Sequence, residues 1–231
     1  MTEPAGSGPA ADGAPLFLLD AVPDGDVLTV EGAEGRHAVD VLRLAAGERV
    51  RVSDGRGLLV EGSVLTAEAS TLHVQVLARH DVPAPDPTFV LVQALPKGDH
   101  GPLAVDLATE LGVDRIVPWT AARAASKQAR RPRVPEVTEP MSTRQVIGML
   151  ADVDLALVLH EQARQPFAAV DVPATGTIAV IVGPEGGLTD GEVVAFRAAG
   201  AQSVRLGAEV LRTSTAGAAA LAALGARTRW R

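Results

Sequence analysis

No cysteine occurs in the 231 residues of this chain. That excludes disulfides, thiolate metal sites and cysteine nucleophiles, and it fits a cytoplasmic location. Tyrosine is absent too, and aromatic residues make up only 3%, too few for the platforms on which single-strand binders stack bases. Hydrophobic residues reach 47%, yet no uninterrupted apolar stretch is long enough to span a bilayer. Positive charge is short: 21 Lys and Arg face 28 Asp and Glu, a net charge of −7. General nucleic-acid binders carry a basic surplus, so any RNA contact must come from a local patch. The sequence offers no convincing metal site. Ser214 lacks a nucleophile-elbow context, and no order of His and Asp marks a triad, which disfavours a serine hydrolase.

What is present divides into two parts. Residues 1–15 are rich in Ala, Gly and Pro, without the basic start and apolar core of a secretory signal, and read as a disordered tail. Residues 16–81 hold short strand-like runs at Leu16–Leu19, Val27–Val30, Arg49–Val52, Leu58–Val64 and Thr71–Leu77. Their spacing predicts a small β-barrel, with a hairpin turn at Asp54-Gly55. A helix is expected from about Arg36 to Leu44, with Arg36 and Arg43 on one face and Val39 and Leu42 inward. Prolines at 83, 85 and 87 make 82–87 a stiff linker. From 88 to 231, strands alternate with helices: Phe89–Ala94, a helix with Leu103, Leu107 and Leu111 on one stripe, then Arg115–Val117, Leu155–Leu159, Ile178–Val182 and Val204–Leu206. Such alternation is that of an α/β parallel sheet covered by helices.

The richest stretch is Ile178 to Gly187. An apolar β-branched run reads as a strand buried on both faces. It breaks at Gly183-Pro184-Glu185-Gly186-Gly187, where glycine lets the backbone turn and approach a ligand. Thr189 and Glu192 have capping-box spacing, so a helix follows. Strand, glycine-rich turn and helix form a ligand loop at the carboxyl edge of an α/β sheet. A second such unit runs from Val204 to Gly217, followed by a helix over Ala216–Ala226 made almost wholly of Ala, Leu and Gly. A helix apolar all round is a buried one.

Gly-Pro-Glu-Gly-Gly at 183–187, Leu206-Gly207 and Val-Leu-Arg-Thr-Ser-Thr-Ala at 210–216 together resemble the ribosomal RNA uridine N3-methyltransferases of the SPOUT superfamily. Further matching pieces are Gly-Arg-His-Ala-Val-Asp-Val-Leu-Arg-Leu at 35–44, Gln-Ala-Leu-Pro-Lys-Gly at 93–98, Glu110–Trp119 and Leu-His-Glu at 159–161. The resemblance implies an amino-terminal PUA-like barrel that positions RNA and a carboxyl-terminal SPOUT-type, trefoil-knotted domain that binds S-adenosylmethionine. It also implies a homodimer acting on 16S ribosomal RNA of the small subunit. The cofactor would lie among Leu159, His160, Val182, Gly183, Pro184, Gly186, Gly187, Leu206, Gly207, Leu211, Thr213, Thr215 and Ala216, with backbone amides around Thr213 meeting the adenine edge. Lys97 and Gln128 are substrate-side residues by the same likeness. One departure concerns residues 120–133, shorter than in the family. Either residues were lost or they are missing from this sequence. The second is preferred, because a deletion would move Lys127 and Gln128 relative to the site.

Methylation at uracil N3 sets its own demands. The nucleophile must attack in line with the sulfur–carbon bond, so positioning supplies much of the acceleration. The N3 proton leaves readily only well above neutral pH, so a base or donors to the developing anion are needed. The N3 edge pairs in duplexes, so the target must be unpaired or turned out. Arg212 can steady a uracil oxygen or a flanking phosphate. Glu185 can act as base, although a carboxylate at a helix start is also simply a good electrostatic fit. His160 can titrate near neutral pH or be a plain strand-end residue. Arg123, Lys127, Arg130, Arg131 and Arg133 fall in 121–133 without an acidic residue, a phosphate-contacting strip or a solvated surface. Arg36 and Arg43 extend the RNA-side set. Two rivals remain from sequence: the same fold acting on another nucleotide, such as a transfer-RNA ribose, and a non-catalytic RNA-binding assembly factor.

Overall fold

The computed structural model describes residues 13–94, 100–119 and 131–230. Residues 13–84 with 131–134 form one compact unit, and 85–94, 100–119 and 135–230 form the other. The tail as far as residue 12, Lys97, and the stretch 120–130 with Lys127, Gln128 and Arg130 lie outside the described residues.

In the first unit β1 (Leu16–Leu18), β2 (Val27–Val30), α1 (Gly32–Arg36), β3 (Arg49–Ser53), β4 (Leu58–Glu68) and β5 (Thr71–Asp81) follow in order. The sheet order is β1-β3-β4-β5-β2, with β1 parallel to β3 and the remaining pairs antiparallel. Two register shifts along the β4–β5 pair increase twist and bend, and the sheet encloses Phe17, Leu28, Val50, Val60, Leu72 and Val74. The turn between β3 and β4 forms as its sequence requires. Gly55 has φ +71, and the Asp54 carboxylate accepts from the amides of Arg56 at 2.8 Å and Leu58 at 3.1 Å.

The helix expected at 36–44 is displaced. α1 ends at Arg36, and a wider π-type turn carries the chain over His37–Val41. The inward residues are Gly35 and Ala38, whereas Leu42 is exposed. Gly35 decides this: a Cβ there would come within 2.2 Å of the Ser70 carbonyl oxygen and 2.7 Å of that of Val30, so the helix seats by backbone contact. Arg43 lies beyond the helical turns with φ 55 and shares no α-helical face with Arg36. Arg133 is corrected as well. Its guanidinium donates to the Val82 carbonyl at 2.8 and 3.0 Å, anchoring chain rather than presenting charge to phosphate.

The second unit comprises β6 (Thr88–Ala94), α2 (His100–Glu110), β7 (Arg115–Trp119), β8 (Glu136–Val137), α3 (Thr143–Met149), β9 (Leu155–Leu159), β10 (Gln165–Pro166), β11 (Thr177–Val182), α4 (Asp190–Ala198), β12 (Gln202–Arg205) and α5 (Thr213–Arg227). The strands form one wholly parallel sheet, ordered β10-β12-β9-β11-β6-β7-β8. Alternation along each strand sends side chains to opposite faces. Leu91, Leu157, Ile178 and Val180 meet Val105 and Ala108 of α2 and Ala220, Leu221 and Leu224 of α5. Val92, Val158, Ala179 and Ile181 meet Val146 of α3 and Phe196 of α4. Both faces being covered, the strands read as unbroken apolar runs.

Two helices differ from expectation in detail. α2 turns Ala104, Val105, Ala108 and Thr109 inward and leaves Leu103 46% exposed, because small and β-branched residues let the helix pack against α5. α5 begins at Thr213, ahead of the apolar run, and buries Ala218, Ala220, Leu221 and Gly225 among others. Its approach is close: a Cβ on Gly217 would lie 3.0 Å from Leu91 Cδ1 and 3.1 Å from Gln93 Oε1.

Candidate functional site

Strands β12, β9 and β11 are neighbours and parallel, so the loops leaving their carboxyl ends meet at one edge. Crossovers leave β6 toward β7 on one side and return on the other through β9 and β11. Ligands of open α/β sheets bind outside the strand ends at such a reversal. Here the loops enclose a cleft of about 470 Å³, lined by residues 159–161, 182–185, 187–188, 205–206, 209–214 and 216.

Each loop is shaped locally. After β11, Gly187 takes φ +77 and its amide donates to the Pro184 carbonyl at 2.9 Å, closing a tight turn. Gly183 packs so near Leu188 that a Cβ would sit 3.0 Å from Leu188 Cγ. Then Thr189 and Glu192 make the expected reciprocal capping box, with Thr189 Oγ1 accepting from the Glu192 amide at 3.3 Å and Glu192 Oε2 from the Thr189 amide at 2.9 Å. After β9, the His160 amide donates to the Val204 carbonyl at 3.0 Å and Ala163 to the His160 carbonyl at 3.1 Å. After β12, the chain reaches Arg212, the N-cap of α5, whose carbonyl accepts from the amides of Thr215 at 3.0 Å and Ala216 at 2.9 Å.

Most of the sequence-predicted residues come together here. Leu159, His160, Val182, Gly183, Pro184, Gly187, Leu206, Leu211, Thr213 and Ala216 all line the cleft, as do Arg212 and Glu185. Gly186, Gly207 and Thr215 do not. Gly186 has open space where a Cβ would lie, and the Thr215 hydroxyl donates to the Arg212 carbonyl at 3.2 Å, holding the turn. Glu185 is exposed and precedes the first residue of α4, Asp190. The helix-start account of Glu185 is therefore wrong, since Asp190 and Glu192 are the acids of that first turn. Arg36 and Arg43 are exposed in the first unit, and Arg131 is half-buried in the same unit.

Glu161, Leu188, Arg205, Glu209 and Val210, which were not singled out from the sequence, complete the wall together with Ser214, which was considered only as a hydrolase nucleophile. Glu161, Val210 and Ser214 sit inside the matching motifs and Arg205 and Glu209 inside the Val204–Gly217 unit, whereas Leu188 carries no signal of its own. Gln93 was missed as a support. It is 1% exposed at the end of β6, and its Nε2 donates to the Ala94 carbonyl at 2.8 Å and the Thr213 carbonyl at 3.2 Å. It thereby ties the head of α5 to the sheet edge.

Chemically, the cleft joins apolar walls to a mixed charge set. Glu161, Glu185 and Glu209 stand with Arg205, Arg212 and His160. The first amides of a helix have no intrahelical partner, so those of Thr213 and Ser214 are donors at the wall. A cation at a helix N-terminus opposes the helix dipole, and Arg212 stands there with no side-chain capping bond. This arrangement is stable once an anion or a developing negative charge is placed between them. Among the described residues no group of His, Asp and Glu could hold a metal ion, and no helix is long and apolar enough to cross a membrane.

Comparison with known proteins places this geometry. The model of an RNA methyltransferase domain matches residues 84–124 and 120–225, and that of an RNA methyltransferase PUA domain matches 30–77. Ribosomal RNA small subunit methyltransferase E of Mycobacterium tuberculosis is 40% identical over 245 residues, covering 94% of each chain. The Bacillus subtilis protein of the same name is 25% identical, over 90% of this chain and 93% of its own. The crystal structure of the Neisseria gonorrhoeae protein bound to S-adenosyl methionine superposes with a TM-score of 0.79 at 26% identity, covering 93% of this chain and 98% of that one.

Proposed function

The chain belongs to the ribosomal RNA small subunit methyltransferase E family, and on that premise we propose that it methylates N3 of a specific uridine in 16S ribosomal RNA, with S-adenosylmethionine as donor. The observation that carries this reading is the cleft at the carboxyl edge of β12, β9 and β11, with Arg212 at the head of α5. The residues suit the cofactor. Leu159, Val182, Leu206, Leu211 and Ala216 give apolar walls, the amides at the start of α5 give donors to an adenine edge, and Glu161, Glu185 and Glu209 give negative charge toward a sulfonium. When bound, S-adenosylmethionine supplies an electrophilic methyl group.

The chain's own groups do the rest. The Gly183–Leu188 turn, fixed by the Gly187 amide, and the α5 head, fixed by Gln93, hold the cleft in one shape before substrate arrives. Orientation of this kind supplies the positional part of the rate. Arg212 donates to a uracil oxygen as negative charge develops on loss of the N3 proton, and a preorganised donor is worth most at that moment. Glu185, exposed on the cleft rim, receives the proton. Arg36, Arg43 and Arg131, with Lys97, Lys127, Gln128 and Arg130, make up the RNA-contacting set.

The residues 16–81 act as the RNA-docking barrel and 88–231 as the catalytic domain, in a cytoplasmic protein. A homodimer completes the assembly. Supporting it, Val210 is 77% exposed and Leu211 39%, apolar side chains on the cleft wall. The test is methyl transfer from labelled S-adenosylmethionine to small ribosomal subunits lacking the modification, with the product mapped by mass spectrometry. One new N3-methyluridine is expected. A mapped product elsewhere, such as a ribose methyl, would replace the uridine assignment, and cofactor binding without transfer to any RNA would refute it.

A further inference from the structure

Beside the cleft lies a second concavity of about 500 Å³, walled by the loop after β9, by α4 and by β12. Its chemistry is different. Arg164, Arg197 and His160 stand with Gln162, Gln202 and Ser203, and no carboxylate lines it. This is unusual ground on a chain of net charge −7, and it contrasts with the cleft, which carries Glu161, Glu185 and Glu209. Arg164 and Arg197 are exposed and have no ion-pair partner among the described residues. Ser203 Oγ is buried without a hydrogen-bond partner, and a buried hydroxyl calls for one. The wall is also preformed: backbone bonds of His160 and Ala163 tie down the turn leading to Arg164, and Gln165 Nε2 donates to Gln202 Oε1 at 3.1 Å.

We infer that this concavity is a phosphodiester subsite for the RNA strand flanking the target nucleotide, an inference that rests on the RNA-methyltransferase reading. Guanidinium groups bind phosphate oxygens with charge-assisted, often paired hydrogen bonds. His160 lines both cavities, so a phosphate held here is adjacent to the reaction site. The carboxylates of the cleft repel the polyanionic strand, while the carboxylate-free pocket attracts it. A target base can then enter the cleft while the backbone is held outside it. Contacts of this kind fix register and carry no base specificity.

The experiment measures binding of the full-length protein to small ribosomal subunits between about 50 and 200 mM salt. Wild type is compared with the double variants Arg164→Ala/Arg197→Ala and Arg164→Lys/Arg197→Lys, and S-adenosylmethionine affinity is followed by calorimetry. For single-stranded RNA each lost phosphate contact removes about 0.7 from the slope of log K against log salt. The alanine pair should lower the slope by about 1.4 and weaken binding by about tenfold at low salt, with cofactor affinity unchanged. The lysine pair should keep the slope. An unchanged slope in the alanine pair overturns the subsite. So does equal loss in both pairs, which would mean a packing role, or inorganic phosphate binding lost with RNA binding intact. Failure of the wild-type protein to bind subunits at all overturns the RNA reading itself, a distinct result.

Discussion

Removing the Arg229 side chain should destabilise the carboxyl-terminal unit while leaving the folded cleft undisturbed. Beyond the end of α5, Arg229 ties together two pieces of chain, 87–89 and 112–114. Its Nε donates to the Pro87 carbonyl at 2.7 Å and Nη1 to the Gly112 carbonyl at 2.7 Å, while Nη2 reaches the Pro87 carbonyl and the Asp114 carboxylate. The guanidinium carbon lies 3.7 Å above the centroid of the Phe89 ring. Side-chain exposures are 11% for Arg229 and 15% for Asp114, so the pair is largely desolvated. Breaking a buried pair by deleting one partner costs about 3–5 kcal/mol, because the other charge stays buried. Asp114 keeps the Phe89 amide at 2.8 Å, which argues for the lower end, and the lost cation–π contact adds about 1 kcal/mol. At about 2–4 °C per kcal/mol for a unit of this size, Arg229→Ala should lower its melting temperature by about 10 °C, read by calorimetry. The double change Arg229→Met/Asp114→Asn removes both charges of the pair together and should recover more than half of that loss. Cofactor affinity should hold, since 15 helical residues at 1.5 Å each put the clamp about 22 Å from Arg212. A midpoint within about 2 °C of wild type would refute the reasoning. So would a double variant no better than Arg229→Ala, since the cost would then not come from losing the cation beside a buried carboxylate.

Two further predictions concern the cleft. Gly187→Val forces a β-branched residue to φ +77 at a cost of about 1–2 kcal/mol, so the turn relaxes and cofactor affinity should fall by about tenfold. Gly186→Val meets open space and should bind nearly as wild type; calorimetry giving the opposite order would remove this turn from the cofactor site. Arg212→Ala should reduce kcat by about 10²–10³-fold, the usual effect of losing a donor to a developing anion, with little change in cofactor affinity. Single-turnover methylation at the wild-type rate in that variant would strike Arg212 from the catalytic set.

How legible was all this in the sequence? The strand ends and both ligand loops could be read because their signals are local. Ile178–Val182 is an unbroken apolar run ended by glycines, and Thr189 with Glu192 announces a helix start three residues apart. These features place the cleft, because parallel strands necessarily gather their carboxyl-terminal loops at one edge. Long-range partnerships left no such mark. Gln93 and Thr213 are 120 residues apart and Arg229 and Asp114 are 115 apart, and nothing in either neighbourhood names its partner. Inward faces were misread wherever backbone proximity outweighed side-chain bulk. Around α1 the inward position is Gly35, pressed onto two carbonyl oxygens, and in α2 Ala104 and Ala108 are buried while Leu103 is exposed. A hydrophobicity pattern scores large residues and cannot see close approach. The threading that the SPOUT resemblance implies is likewise absent from residue periodicity, since ordinary connection rules count against knots.

The same division separates the chemistry. Residues whose role is carried by backbone shape, such as Gly183 and Gly187, sit in recognisable turn sequences, and they line the cleft as expected. Residues whose role is electrostatic are read poorly, because charge acts through assembled surroundings. Glu185 was open to two readings, a base or a helix-start acid, and it lies five residues before the first residue of α4, Asp190, on the cleft wall. Arg133 looks like part of a basic strip until its guanidinium is found on the Val82 carbonyl. Arg164 and Arg197 look like scattered surface charges until the loop after β9, α4 and β12 bring them into one concavity with Ser203. A net charge of −7 therefore does not conflict with an RNA substrate. What matters is where the carboxylates are absent, and among the described residues the pocket beside the cleft is such a place.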